Sequence, residues 1–438
     1  MAAQHQQLPA RRRSQQPDWS SGLPPELLES IGKRLPSGDD AASFRSACST
    51  WRGAVPFASF APHLVLPFDA ESERVTFYSV AGKTTFSLAL PDVRGKALCG
   101  SSCGWLALMD EAASVTLLNP FTGATVALPP ADEHVAAASS STRVSKADDG
   151  RRWTLHHHDG YGRAAAPVAI RLDKMRHVFF HEIVLSAPPG ARECVAMAVL
   201  PSSTDVAFCR VGVDGAWTLL DTNLECSVDA IVHCQGRFLA IDCVGEISIF
   251  SSIAAGDDAT PTATPIPSLS PPAQVCHRSY LQSGGELHLV GAMVSMFHVT
   301  QRFAYRNVIY KCNLLDRRPA WSRVHDVGDV ALFVSKQFSS SFSGVSVSKH
   351  RRNSIYFSEP LYGHQDDVEH RLEIVDIAAG TSELEPVHEK MHSSEALCWI
   401  RPNLWKGDGL SKCREEELQK EADSTTVGGR LPEPAEDV

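Results

Sequence analysis

No stretch of this 438-residue chain reaches the roughly 18 consecutive apolar residues that a membrane-spanning helix needs. The first 21 residues are polar and lack the apolar centre of a secretory signal. Both absences predict a cytosolic or nuclear protein with no membrane partner. Positive charge is also short, since 41 Lys and Arg stand against 51 Asp and Glu, a net of −10. Such a balance leaves no electrostatic footprint for nucleic acid. Arg11-Arg12-Arg13 is the single basic run and reads as part of a solvated tail. The twelve cysteines contain no C-x-x-C pair, and Cys99 with Cys103, the closest two, have no second pair to complete a zinc set. Reduced core thiols are the expectation. A P-loop and a G-x-G-x-x-G are missing as well, so neither metal nor cofactor is predicted.

What is present begins at residues 18–57, DWSSGLPPELLESIGKRLPSGDDAASFRSACSTWRGAVPF. Pro24-Pro25 open a helix where a missing N–H is tolerated, and Glu26 and Glu29 suit its positive end. Leu23, Leu27, Leu28, Ile31 and Leu35 then follow at steps of 4, 1, 3 and 4, one apolar stripe of a 3.6-residue period. Pro36 stops this helix. Ser37 and Asp40 open a second, whose apolar face carries Phe44, Ala47, Cys48 and Trp51. Two short amphipathic helices expose more apolar surface than they can cover mutually, which predicts completion by a partner.

These residues, read with Arg34-Leu35-Pro36 and Trp51-Arg52, resemble an F-box in its plant form. Two departures are Ala41, where a leucine usually follows the acidic residue, and Ala47, where valine usually precedes the cysteine. The resemblance implies docking on a Skp-type adaptor, and through it on a cullin. Leu23, Pro24, Leu27, Leu28, Ile31, Leu35, Phe44, Cys48 and Trp51 would carry that contact. An ordinary helical hairpin packed on its own domain is the alternative.

From residue 64 to 400 the period changes. Short runs rich in Val, Ile, Phe and Thr, such as 75–79, 105–109, 205–211, 237–243, 330–334 and 372–376, alternate apolar with polar residues between Gly, Pro, Asp and Asn. With no long helix between them they predict a β-meander, and about 340 residues exceed one sandwich but suit about six degenerate four-stranded blades. The expected fold is thus mainly β with a small α part, helices followed by a kelch-like propeller at 60–405. A turn, a strand and a Trp recur at Trp105, Trp217 and Trp321. Residues 131–152 and 251–275 are expected as loop insertions, and 1–17 and 406–438 as disordered tails. Gly284-Gly285 reads as a tight hairpin turn.

The ordered set Ser102-Cys103-Gly104-Trp105-Leu106, Leu118-Asn119-Pro120-Phe121-Thr122-Gly123, Trp217-Thr218-Leu219-Leu220-Asp221, Gly285-Glu286-Leu287-His288-Leu289-Val290, Asn353-Ser354-Ile355-Tyr356-Phe357 and Pro402-Asn403-Leu404-Trp405 resembles the C-terminal domain of plant KIB-like F-box proteins. That resemblance implies a substrate receptor of a ubiquitin ligase, with its target unnamed. Two other classes stay open, an adaptor-holding scaffold that degrades nothing and a hydrolytic propeller. For the last, Asp242, Glu246, Glu359 and Asp376 are strand-end acids of the type that paired carboxylates use, yet nothing in the sequence pairs them. His156-His157-His158 beside Asp159 cannot converge on one ion from consecutive strand positions, and His177, His181 and Glu182 precede a strand-like Ile183-Val184-Leu185. No catalytic residue is predicted.

Overall fold

The computed structural model describes residues 23–32, 44, 51, 62–69, 71–131, 142–146, 152–157, 168–171, 179–191, 193–201, 203–253, 261–272, 275–297, 302–335, 342–345, 351–358, 369–390 and 397–403. The chain divides into two compact units, Met1–Phe60 and Ala61–Val438. The expected tails at 1–17 and 406–438 lie outside the described residues.

In the first unit, α1 spans Pro25–Gly32. The Pro24 carbonyl accepts from the backbone N–H groups of Leu27 (3.0 Å) and Leu28 (3.2 Å), closing the first turn while Pro25 sits where no N–H is needed. Phe44 and Trp51 are each helical.

The second unit is built of strands in chain order. β1 (His63–Val65), β2 (Arg74–Ser79) and β3 (Thr84–Ala89) precede a sheet of β4 (Ala97–Ser102), β5 (Trp105–Met109), β6 (Val115–Leu118) and β7 (Thr125–Ala127). β8 (Thr142–Lys146), β9 (Arg152–His157) and β10 (Val168–Arg171) form a separate three-stranded sheet. Next come β11 (Glu182–Leu185), β12 (Val195–Val199), β13 (Asp205–Arg210) and β14 (Thr218–Asp221), then β15 (Val228–Cys234), β16 (Arg237–Asp242), β17 (Ile247–Ser251) and β18 (Thr262–Pro265). β19 (Val275–Ser283), β20 (Glu286–Phe297), β21 (Arg302–Cys312) and β22 (Ser322–Val324) are followed by β23 (Val330–Val334), β24 (Phe342–Val345), β25 (Ser354–Phe357), β26 (Glu369–Asp376) and β27 (Thr381–Lys390). Finally β28 (Cys398–Ile400) pairs with β1, placing Leu64 opposite Trp399.

These strands make six blades of a propeller. Blade 1 is β28-β1-β2-β3, so the last strand of the chain completes the first blade. Blades 2 to 5 are the meanders that begin at β4, β11, β15 and β19. Blade 6 departs from the meander, because β25 joins β23 in parallel while β24 pairs on its other side and touches β19 through the single pair Gln282 and Phe342.

Six apolar clusters separate the six blades. Phe77 and Val75 of blade 1 pack with Leu106 and Leu118 of blade 2, and Met109 and Leu117 of blade 2 with Ile183 and Ala196 of blade 3. Met197 and Phe208 continue to Ile231 and Phe238 of blade 4, and Leu239 and Ile241 to Leu287 and Leu289 of blade 5. Leu281 and Val290 meet Leu332 and Ile355 of blade 6, and Phe333 and Leu372 return to Leu64 and Trp399 of blade 1. Equal numbers of blades and interfaces mean that the ring is closed.

Closure changes the strand pattern expected from the sequence. A blade is covered on both faces, so β5 (WLALM) and β12 (VAMAV) are buried at every position instead of alternating with solvent. Both expected loop insertions contain strand, although β8 belongs to a sheet outside the six blades. Thr142–Lys146, within 131–152, is strand β8. Thr262–Pro265, within 251–275, is the outer strand of blade 4, paired to β17 from Ser251 with Thr262 to Ser248 with Pro265. An edge strand needs no N–H on its outer side, so proline is tolerated there. The Trp repeat is likewise only partly an equivalence. Trp217 and Trp321 both precede an outer strand, whereas Trp105 opens the second strand of its blade.

Candidate functional site

In the helical unit seven of the nine expected contact residues are described, and they divide between buried and exposed positions. Leu28 (1 % exposed) and Phe44 (7 %) form its small core, with Leu23 and Trp51 packed against them. The Phe44 and Trp51 rings lie 4.6 Å apart. Leu27 and Ile31, one helical turn apart, remain 51 % and 41 % exposed, and Pro24 is exposed. Leu35 and Cys48 lie outside the described residues. One flank of α1 thus holds the unit together, while the other presents two large aliphatic side chains to solvent.

In the propeller, two motifs that stand 300 residues apart meet at the seam. Cys103 and Gly104 are a two-residue turn joining β4 to β5, both with positive φ (54° and 82°). Asn403, just past β28, donates through Nδ2 to the Cys103 carbonyl (2.9 Å), and its own carbonyl accepts from Nδ2 of Asn119 (2.6 Å). Asn119 Oδ1 in turn accepts from the N–H groups of Phe121 (3.1 Å) and Thr122 (3.3 Å), fixing the Asn-Pro-Phe-Thr-Gly turn. A Cβ on Gly104 would stand 2.3 Å from Cβ of Asn403 and 2.7 Å from the Arg401 carbonyl, so glycine is required for close approach as well as for φ. The Ser101 hydroxyl donates to the Trp399 carbonyl, and Trp399 Nε1 donates to the Val334 carbonyl (3.1 Å). Burial pushes the neighbouring Cys398 thiol up to about 12. At the blade 6 junction Glu385 accepts from the Tyr78 hydroxyl and pairs with Lys83 (2.7 Å), and burial followed by Glu385 raises the tyrosine pKa.

The indoles of Trp217 and Trp321 reach back to the preceding blade, donating to the carbonyls of Pro129 (2.7 Å) and Leu269 (2.8 Å). Blades 2, 4 and 5 share a two-residue turn after their first strand, at Cys103-Gly104, Gln235-Gly236 and Gly284-Gly285. Both glycines of the last pair have positive φ, as the sequence pattern predicts.

Groups weighed for chemistry serve the fold. Asp242 Oδ1 accepts from the N–H groups of Val244, Gly245 and Glu246 (3.0, 2.8 and 2.8 Å), and Glu246 accepts from Ser270 (2.8 Å). Asp376 accepts from the Ala379 N–H (2.9 Å), while Glu359 lies outside the described residues. Gly100-Ser101-Ser102-Cys103-Gly104 has the spacing of a hydrolase nucleophile elbow, G-x-S-x-G, yet it is built as an antiparallel hairpin and not as a strand-to-helix turn. The Ser102 hydroxyl accepts from the Leu185 N–H (3.0 Å) and donates to the Leu185 carbonyl (3.3 Å). Cys99 faces the core between blades 2 and 3, and its thiol is pushed up to about 12 by burial. No three metal-ligating side chains gather among the described residues. Glu182 is buried and His181 exposed at the start of β11, while His158, Asp159 and His177 lie outside the described residues.

The described residues thus comprise a helical segment and a closed six-bladed propeller, and no metal-ligating group gathers among them. The chain belongs to the KIB1-4 beta-propeller family, which it matches over residues 77–380. It is similar to F-box protein SKIP23 of Arabidopsis thaliana, 24 % identical over 419 residues that cover 88 % of this chain and 95 % of that protein. It is also similar to the putative F-box protein At5g55150 (27 % over 331 residues, 73 % and 79 %) and to F-box protein At2g17036 (23 % over 414 residues, 88 % and 94 %), both from the same plant. These relatives are F-box proteins of a plant, and together with the propeller family match they support an F-box substrate-recognition role in general terms.

Proposed function

We propose that this chain is the substrate-recognition subunit of an SKP-cullin-F-box ubiquitin ligase, with adaptor binding in the helical unit and target binding on the propeller. The observation that carries the reading is the split of α1, in which Leu28 is spent on the unit's own core while Leu27 and Ile31 stand exposed one turn apart. Paired aliphatic side chains left in water on a small helical unit gain from burial against a partner. The adaptor is that partner, and it connects the chain to a cullin in the cytoplasm or nucleus. Chemistry belongs to the bound conjugating enzyme. The propeller contributes no reacting group and raises the effective concentration of a target lysine near the ubiquitin thioester. The closed ring suits this task, because its blade-connecting loops are held on a scaffold with no free sheet end.

Co-expression of the full chain with a Skp-type adaptor tests the reading. A stable complex that also captures a cullin, and loses both on Leu27→Ala with Ile31→Ala, is the expected result. Retention of the adaptor by the double variant overturns the assignment of this face. A complex that holds cullin and a bound protein without ubiquitinating it favours a scaffold instead.

A further inference from the structure

One end of blades 3 and 4 collects carboxylates. Asp205 lies opposite Asp221 on neighbouring strands, Val228 N–H reaches the Ser203 carbonyl (2.8 Å), Cys243 N–H reaches the Ser227 carbonyl (3.0 Å), and Val228 is paired with Asp242. These links put Asp205, Asp221, Glu225, Asp229, Asp242 and Glu246 at the same end of the two blades. Asp221, Glu225 and Asp229 are exposed. The described cations of these blades, Arg210 and Arg237, sit at the opposite end, next to the turns that follow β13 and precede β16. Arg278 of blade 5 also reaches this end, where its Nη2 donates to the Cys243 carbonyl (2.9 Å). Like charges placed directly across a strand pair are unfavourable, and Asp205 carries the mark of it, since burial and then Asp221 raise its pKa.

A second observation points to a ligand. Tyr280 is 4 % exposed, and its buried hydroxyl has no hydrogen-bond partner among the described residues. It lies under the Asp242–Glu246 turn, where a Cβ on Gly245 would be 3.0 Å away, and the charges acting on it are Arg278, Asp242, Asp229 and Glu246. A buried hydroxyl without a partner is a cost that natural structures rarely keep without use.

We propose that this end of blades 3 and 4 docks a lysine- or arginine-rich segment of a partner protein. Calling that partner the ligase's cargo rests on the receptor reading above; the docking itself does not. An extended segment fits better than one ion, because the carboxylates spread over several strands about 4.8 Å apart and Asp242 Oδ1 is already saturated by backbone N–H groups. Cationic side chains crossing the turn would relieve the Asp205 and Asp221 repulsion and give Tyr280 a donor.

The test uses the full chain and a fluorescent dodecapeptide of alternating arginine and serine, with a citrulline version as the neutral probe, read by anisotropy at low and high salt. The arginine peptide should bind, the citrulline peptide should not, and Asp221→Asn/Glu225→Gln/Asp229→Asn should weaken binding about tenfold at low salt, a few-fold for each exposed pair. Tyr280→Phe should weaken it further, although removing an unpaired hydroxyl does not destabilise the fold. A control at the other end, Glu193→Gln/Asp316→Asn, should leave affinity unchanged. Undiminished binding by the triple variant, or an equal loss in the control, overturns the proposal. Leu27→Ala/Ile31→Ala should abolish adaptor capture and leave peptide affinity intact, which separates failure of this surface from failure of the receptor assignment.

Discussion

Replacing Gly104 with alanine should open the propeller at its seam. Alanine at φ 82° costs about 1–2 kcal/mol in backbone strain. Its Cβ would also stand 2.3 Å from Asn403 Cβ and 2.7 Å from the Arg401 carbonyl, neither of which is the free end of a flexible side chain. Asn403 must therefore move. That move loosens its hydrogen bonds to Cys103 and Asn119, about 1 kcal/mol each. The sum is roughly 3–4 kcal/mol. Gly284→Ala is the matched control, because φ is 57° and no atom lies within 4 Å of its Cβ, so strain alone applies. Urea unfolding followed by tryptophan emission, with hydrogen exchange at Cys398–Ile400, reads the difference. The Gly104 variant should be about 2 kcal/mol less stable than the Gly284 variant, with exchange raised selectively in β28. Two variants within about 0.5 kcal/mol of each other would refute the close-approach argument.

Leu28→Ala should destabilise the helical unit by about 2–5 kcal/mol through a core cavity, lowering its helical signal, whereas Leu27→Ala/Ile31→Ala should preserve that signal and weaken adaptor binding about a hundredfold. Trp217→Phe and Trp321→Phe should each cost about 1–3 kcal/mol in urea titrations, since a buried carbonyl of the preceding blade loses its donor. For pH dependence, Asp205 binds its proton more tightly folded than unfolded, so its ionisation lowers stability as pH rises through the window from the ordinary value of 3.8 to its raised value. Asp205→Asn should therefore be stabilising at pH 7, with the advantage shrinking as pH falls through that window; an advantage that grows in acid would contradict the burial argument.

The strands were legible where their signal is local. Residues 105–109 and 330–334 are read from the sequence with the bounds the structure gives, because buried Val, Leu, Phe and Met between turn residues mark a strand wherever it packs. The outer strand Thr262–Pro265 escaped, since its Thr- and Pro-rich edge has the composition of a loop. β28 escaped for a different reason. It is three residues long, and its partner His63–Val65 lies more than 330 positions earlier, so nothing near it announces the pairing. In the helical unit the apolar stripe was visible, but periodicity alone cannot divide Leu28 from Leu27, because adjacent leucines on one stripe differ only in what packs beside them.

By itself the sequence determined the class of this protein. Paired prolines, an apolar helical stripe and many short β-runs with punctuating glycines specify a small helical unit and a meander too long for one sandwich, because helix and strand periods are local properties. Tertiary structure decided the rest. Only tertiary packing brings Gly104 against Asn403 and sets six carboxylates at one end of two blades, and within the helical unit it buries Leu28 while Leu27 and Ile31 stay exposed, since exposure and proximity depend on which distant elements pack together.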